Sequence, residues 1–190
     1  STDDTGLVAH EAGAKVISHP VNRGYGAAIQ TCFTYAKEHD FDIMVILDGD
    51  GQHNPGFIPE FVSELKNSGA DLVIGSRFMQ TKNGIPHYRR IGMKVLDGFT
   101  NFAGGLRITD SQCGFRAYSR KAIDTIVVSN LDMGAGSQIL TQVKEKNLKV
   151  VEIPIHVRYD IPGISTHHPL SHGMQVLGNI IGFIGYKRPM

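Results

Sequence analysis

The chain has 190 residues, 41% of them hydrophobic and 19% charged, with a formal net charge of +1. That balance suits one ordinary globular domain with a sizeable core. It excludes a nucleic-acid binder held by bulk charge.

In chain order, Thr2 to Ala12 is predicted helical, with Asp3 and Asp4 suited to a first turn. Lys15 to His19 reads as a short strand, and Asn22 to Glu38 as a helix led by glycines. Asp42 to Leu47 contains I-M-V-I-L, a continuous apolar strand of the kind buried on both faces. Pro55 to Asn67 predicts an amphipathic helix with Phe57, Ile58, Phe61, Val62 and Leu65 on one stripe. Asp71 to Ser76 is the next strand, and Arg89 to Gly104 the next helix. Ser111 to Tyr118 reads as mixed strand or loop, and Gly136 to Lys146 as helix. Val150 to Tyr159 alternates like a strand despite Pro154. Asp160 to His172 is rich in Pro, Gly, Ser and His and reads as a mobile loop; His167, His168 and His172 are loop residues rather than metal ligands.

From Met174 to Met190 the chain turns apolar and then basic. This suits either a plain amphipathic helix or a juxtamembrane helix with Lys187 and Arg188 toward the cytosol. No apolar run reaches the roughly 18 residues of a membrane span, and nothing at the start reads as a signal peptide. Cys32 and Cys113, the two cysteines, lie far apart without metal-ligand spacing. They read as reduced thiols of a cytosol-facing protein and exclude a structural zinc site. Strands and helices alternate without repeat or linker, which predicts a single α/β domain. The polar opening Ser1 to Thr5 predicts a sequence that enters its fold after the first strand.

Asp48-Gly49-Asp50-Gly51-Gln52-His53 follows the most apolar strand. Open α/β sheets bind ligands at the carboxyl ends of their strands, so this turn is the best site candidate. Two carboxylates separated by one glycine can face a single divalent cation, and Gln52 adds a neutral oxygen. Such hard ligands suit Mg²⁺ or Mn²⁺. The same residues also suit a solvated turn that caps the next helix. An EF-hand is excluded, because Asn54-Pro55-Gly56-Phe57 stands where further acidic ligands belong. Asn22 to Gly26 opens a helix, where free N–H groups favour phosphate. Cations recur near the site at Arg77, Arg89, Arg90, Arg116 and Arg158.

Five segments, in order, resemble family-2 glycosyltransferases of the GT-A fold, specifically the dolichyl- or polyprenyl-phosphate sugar transferases. Ser1-Thr2-Asp3-Asp4-Thr5 is similar to the tail of a D-D-G-S-T-D-x-T turn, and Asn22-Arg23-Gly24-Tyr25-Gly26-Ala27-Ala28 to an N-x-G-x-G-A-A helix start. Leu47-Asp48-Gly49-Asp50-Gly51-Gln52-His53 is similar to L-D-A-D-G-Q-H, and Gly75-Ser76-Arg77-Phe78 to G-S-R-[FY]. Asp110-Ser111-Gln112-Cys113-Gly114-Phe115-Arg116 is similar to D-x-x-C-G-F-[RK].

The resemblance implies a Rossmann-like α/β fold of the GT-A type: a mixed, mainly parallel sheet flanked by helices and lacking the first strands. Residues 1–190 would be a partial catalytic domain, with 160–172 an active-site loop and 173–190 a juxtamembrane helix. The implied reaction is metal-dependent, inverting transfer of a sugar from a UDP- or GDP-linked donor to a polyprenyl phosphate at the cytoplasmic membrane face. Asp48, Asp50 and Gln52 would hold Mg²⁺ or Mn²⁺. Asn22, Gly24, Gly26, Asp48, Arg158 and Ser165 would bind the donor, and Arg77, Arg90 and Arg116 the acceptor phosphate. Asp50, Arg77 and Arg90 would be the catalytic set. The missing strands would leave a sheet edge open to a second copy.

A lipid phosphate is already anionic near neutral pH and needs cations rather than a general base. Transfer to a hydroxyl would need a carboxylate base, for which Asp132 is the candidate. A processive polysaccharide synthase resembles a Q-x-x-R-W pattern, and this chain has no tryptophan. A fragment that binds metal or nucleotide without catalysis is the remaining alternative.

Overall fold

The computed structural model describes residues 3–79, 87–104, 106–132 and 134–159. Strands β1 (Ile43–Ile46), β2 (Leu72–Ser76), β3 (Arg116–Ser119) and β4 (Val150–Pro154) form one sheet in the order β1-β3-β2-β4. β3 runs antiparallel to both neighbours, and β4 is parallel to β2. Three strands therefore share a direction, and the sheet is mixed as expected. Around it lie α1 (Thr5–Glu11), α2 (Tyr25–Glu38), α3 (Ile58–Ser68), α4 (His87–Gly104), α5 (Arg120–Thr125) and α6 (Ala135–Glu145).

Several expectations need correction. Lys15 to His19 is not a strand, and Ile17 is 48% exposed. So short a segment gains nothing from an extended backbone without a neighbouring ladder to pair with. β1 is not buried on both faces: all four of its residues are half-buried. It ends the described sheet, whereas β2, paired on both sides, is buried at every position. α2 begins at Tyr25 rather than Asn22, because Gly24 takes a φ of +88° and ends any helical run before it. α5 escaped prediction because six residues carry little periodicity. Its signal was Ser119, whose hydroxyl accepts the Ala122 N–H as an N-cap. Residues 160–190, with the expected loop and terminal helix, lie outside the described residues.

The apolar stripe of α3 packs as its spacing predicts. Phe61 and Leu65 are buried, with Phe57 and Ile58 packed against the core. Phe61 stacks on Phe115 at 4.2 Å between ring centroids, which joins helix to sheet beside the start of β3. At the opposite end, Asp71 accepts from the Lys149 N–H, the Ser119 hydroxyl and the Lys121 ammonium, tying the starts of β2 and β4 to the end of β3.

α4 has two unlike faces. Inward, Asp97 is 5% exposed, and its Oδ1 accepts both the Ser111 N–H (2.7 Å) and the Ser111 hydroxyl (2.6 Å). Its Oδ2 is buried without a hydrogen-bond partner. Burial pushes the Asp97 pKa up to about 6, outweighing the Ser111 bonds that favour the charge. Outward, Ile91 and Val95 are 66% and 49% exposed.

Two outcomes are expected. Phe61→Ala leaves a cavity against Phe115 and lowers unfolding free energy by about 3–5 kcal/mol, measurable by urea titration. For Asp97, the folded state holds its proton more tightly than the unfolded state, whose pKa is about 3.9. Stability from this group therefore falls as pH rises from the unfolded value toward about 6. Urea midpoints across that window should show Asp97→Asn gaining on the wild type as pH rises; a constant difference would contradict the buried, uncompensated carboxylate.

Candidate active site

The acidic turn leaves the carboxyl end of β1 and is built largely by local chemistry. Gly51 has a φ of +78°, and Asp50 Oδ1 accepts the Gln52 N–H at 2.9 Å, closing a tight Asx turn. Asp50 is exposed and Asp48 half-buried. Burial raises the Asp48 pKa and the negative charge of Asp50 adds to this, while His53, Arg116 and Arg77 pull it down. Two carboxylates repelling each other in a partly desolvated turn fit a cation that would relieve both.

Among the described residues no group of three His, Cys, Asp or Glu side chains could hold a metal alone. The chemistry of Asp48, Asp50 and Gln52, all hard oxygen donors, is of the kind that binds a hard ion together with water and phosphate oxygens. Gln52 is engaged at its amide nitrogen, which donates to the Arg158 carbonyl at 3.2 Å. The Gln52 carbonyl accepts the Arg158 N–H at 3.0 Å, and His53 bridges Val157. The acidic turn is thereby laced to the chain leading into Arg158.

Two neighbours that the sequence reading left without roles shape this turn. His53 is 9% exposed, tilts against Phe115 and accepts the Asp48 N–H at Nδ1 (3.4 Å). Burial lowers its pKa against the pull of Asp48 and Asp50, so the ring is a neutral acceptor. Gly114 lies so close that a Cβ there would stand 2.6 Å from Asp48 Oδ2. Any side chain at this position would displace the carboxylate. The signals were present, since both residues belong to quoted motifs, but sequence spacing does not show that the motifs touch.

At the end of β2, Arg77 is paired with Asp110. Its Nε and Nη2 donate to the two carboxylate oxygens at 2.6 and 2.7 Å, and its backbone N–H donates at 3.0 Å. The Asp110 side chain is fully buried and that of Arg77 is 16% exposed. Burial would lower the Arg77 pKa, yet the Asp110 pair more than reverses this and raises it. Asp110 entered the sequence reading only as part of a motif, yet it is the residue that fixes Arg77.

The turn from Thr109 to Cys113 is held by charged side chains. Glu152 on β4 accepts from the Thr109 and Asp110 N–H groups, and Asp97 from Ser111. Arg116 supports the same turn from within, donating to the carbonyls of Ser111 (2.7 Å), Cys113 (2.9 Å) and Gly136 (3.4 Å). Arg116 is 5% exposed and bonded inward. The resemblance implied a place for it in the acceptor-phosphate set; here its guanidinium holds the turn. The buried guanidinium is stabilised by carbonyl dipoles and lies within electrostatic reach of Asp48.

Gly24 and Gly26 have a packing reason. A Cβ at Gly26 would overlap the Asn130 carbonyl, and one at Gly24 would lie 2.6 Å from the Leu131 carbonyl. Asn22 Oδ1 accepts the Gly24 N–H. The amino end of α2 is thus covered by residues 130–132, with an Asp132 oxygen 3.6 Å from the Gly24 Cβ position. The resemblance implied donor binding by Asn22, Gly24 and Gly26; here Gly24 and Gly26 pack closely on the backbone of residues 130 and 131. At the start of α2, burial pushes the Tyr25 pKa up to about 12, and Arg116 and Asp48 both act on it. Arg90 is exposed on α4, and Lys94 lies 5.0 Å over the Phe78 ring. Ser165 lies outside the described residues, as does the side chain of Arg89.

Known proteins are similar to the chain in both sequence and fold. The Glycosyl transferase family 2 model matches residues 1–127. The chain is 32% identical over 171 residues to UDP-N-acetylglucosamine--dolichyl-phosphate N-acetylglucosaminyltransferase of Methanococcus voltae, covering 88% of this chain and 64% of that protein. It is 31% identical over 166 residues to polyprenol monophosphomannose synthase of Mycolicibacterium smegmatis, covering 82% of this chain and 62% of the relative. In fold it is similar to glucosyl-3-phosphoglycerate synthase from Mycobacterium tuberculosis, a structure in complex with Mn²⁺ and UDP-glucose. That match has a TM-score of 0.71 at 22% identity, covering 97% of this chain and 65% of the synthase. The fold is thus that of the GT-A glycosyltransferases. Since the family match runs through both the Asp48 turn and the Asp110–Arg116 segment, the chain belongs to glycosyl transferase family 2.

Proposed function

We propose that this chain is the core of an enzyme that transfers a sugar, with inversion, from a UDP- or GDP-linked donor to a polyprenyl phosphate. One observation carries the reading: an acidic turn at the end of β1 and a rigidly paired arginine at the end of β2 flank β3, with Arg77 acting electrostatically on Asp48. Such a site separates a place for a metal-bound diphosphate from a place for a second phosphate. Two relatives named for dolichyl phosphate and polyprenol monophosphomannose support the choice of acceptor.

In this reading Asp48, Asp50 and the Gln52 amide oxygen hold Mg²⁺ or Mn²⁺. The ion supplies Lewis-acid neutralisation of the leaving diphosphate. An acceptor phosphate oxygen forms the new bond to the anomeric carbon. The bond from that carbon to the donor's diphosphate oxygen breaks, and the electron pair leaves with the nucleoside diphosphate. Attack from the opposite side inverts the configuration, and the anionic nucleophile needs no general base. Arg77, fixed by Asp110, and Arg90, exposed on α4, receive the acceptor phosphate, since a planar guanidinium can bind two oxygens. Arg158 serves the donor diphosphate from the segment laced to Gln52.

The lipid acceptor points to the cytoplasmic membrane face. The outer face of α4 suits that surface, with Ile91 and Val95 exposed beside Arg90 and Lys94. Apolar side chains flanked by cations bind an anionic lipid interface. Among the described residues no helix is long and apolar enough to cross a membrane.

Transfer of radiolabelled sugar to polyprenyl phosphate should fall on the order of 100-fold or more in Asp50→Ala and should vanish on chelation of divalent ions. An active Asp50→Ala variant, or transfer only to a soluble hydroxyl acceptor, would overturn the reading. NMR of the product should show the anomeric configuration inverted. In flotation with anionic vesicles, Ile91→Ser/Val95→Ser should lower bound protein by about tenfold or more, as two exposed apolar side chains lose their burial.

A further inference from the structure

Glu152 has no part in the chemistry proposed above, and it is the lone acid in the strand Val-Val-Glu-Ile-Pro. It stands at the register position of Ile74 on β2. Strand alternation turns it to the sheet face opposite the buried Ile153. A charge at such a position needs partners, and these are specific. Oε1 accepts the Thr109 N–H (3.0 Å), the Thr109 hydroxyl (2.9 Å) and the Asp110 N–H (3.0 Å), and Oε2 accepts the Thr109 N–H at 2.9 Å. The Thr109 hydroxyl is also 2.6 Å from that of Ser76, the residue before Arg77. Glu152 thus fixes two successive peptide units, and the second carries the carboxylate that clamps Arg77.

The contact is local and partly open to water, unlike the buried Asp110–Arg77 pair it supports. Glu152 can therefore be removed with less damage to the core than Asp110. Losing it would free Thr109 and Asp110 to rotate, and the guanidinium would follow its carboxylate. Shifts of about 1 Å in a substrate-positioning group can cost on the order of 100-fold in rate.

We propose that Glu152 is a positioning residue for Arg77, setting the angle at which the guanidinium meets the acceptor phosphate. The consequence for transfer rests on the function proposed above; the consequence for Arg77 itself does not.

Glu152→Ala and Glu152→Gln in the full chain test this with two readouts. The first is the Arg77 Nε–H resonance by NMR, assigned by comparison with Arg77→Lys. In the folded Ala variant it should move toward the free-arginine position and exchange with water about tenfold faster, with the Gln variant between, since one acceptor oxygen remains. The second is kinetic: KM for the polyprenyl phosphate should rise about tenfold while that for the nucleotide sugar stays within about twofold. An unchanged Arg77 resonance in a folded variant overturns the proposal, as does an equal rise in both KM values. If Glu152→Ala does not fold, Glu152→Gln decides by the same criteria. If the wild type transfers nothing to polyprenyl phosphate, the proposed function falls, and the resonance alone upholds or overturns the positioning role.

Discussion

A carboxylate with no exposure to solvent must be neutralised or paired, and Asp110 is paired with Arg77. Much of the site's order depends on that requirement. Three donors of one arginine, including its backbone N–H, converge on one side chain. The end of β2 is thereby pinned to the turn that leads into β3. An ion pair of this kind adds little net stability, because desolvation offsets the attraction, but it leaves few geometries open. Its value here is positional. Arg77 is a fixed planar cation rather than a long side chain free to search, which in the proposed function would reduce the entropy lost on ordering a phosphate.

Around the pair, charges are held close without being equivalent. Asp48 and Asp50 share a turn, with Asp48 half-buried and pulled on by the cations behind it and Asp50 exposed. Arg116 is buried against carbonyl oxygens. From there it lends the acidic turn a positive field. His53, neutral and packed on Phe115, fixes the first N–H of the acidic turn. The result is a site in which Asp50 is exposed while Arg77 and Arg116 are held in place by buried partners. Such preorganised fields need no rearrangement during a reaction.

α4 links this site to its surroundings through two opposed faces. Asp97 holds Ser111, next to Asp110, while Ile91 and Val95 point to solvent on the other side. In the proposed function the helix thus meets a lipid on one face while its other face is bonded to the turn that orients Arg77. The buried Oδ2 of Asp97 is the cost of that anchoring, since the carboxylate is only half satisfied.

Local order and strand chemistry were legible in the residues alone. I-M-V-I, the α3 stripe of Phe61 and Leu65, and the glycine-spaced acidic turn follow from periodicity and turn propensity, which act over a few neighbouring residues. The ordered motifs likewise led to the family and the fold. The tertiary structure decided what those motifs do to one another. It buried Arg116 and exposed Arg90, although both are equally basic in sequence. It gave Gly114 its reason in the Asp48 carboxylate and Gly26 its reason in the Asn130 carbonyl. It put Glu152 beneath Asp110 and Asp110 around Arg77, contacts separated by 42 and 33 residues. Periodicity reports which way a side chain faces within its own element. Only packing brings distant elements together, and there desolvation determines which charges are paired inside the fold and which stay available to a substrate.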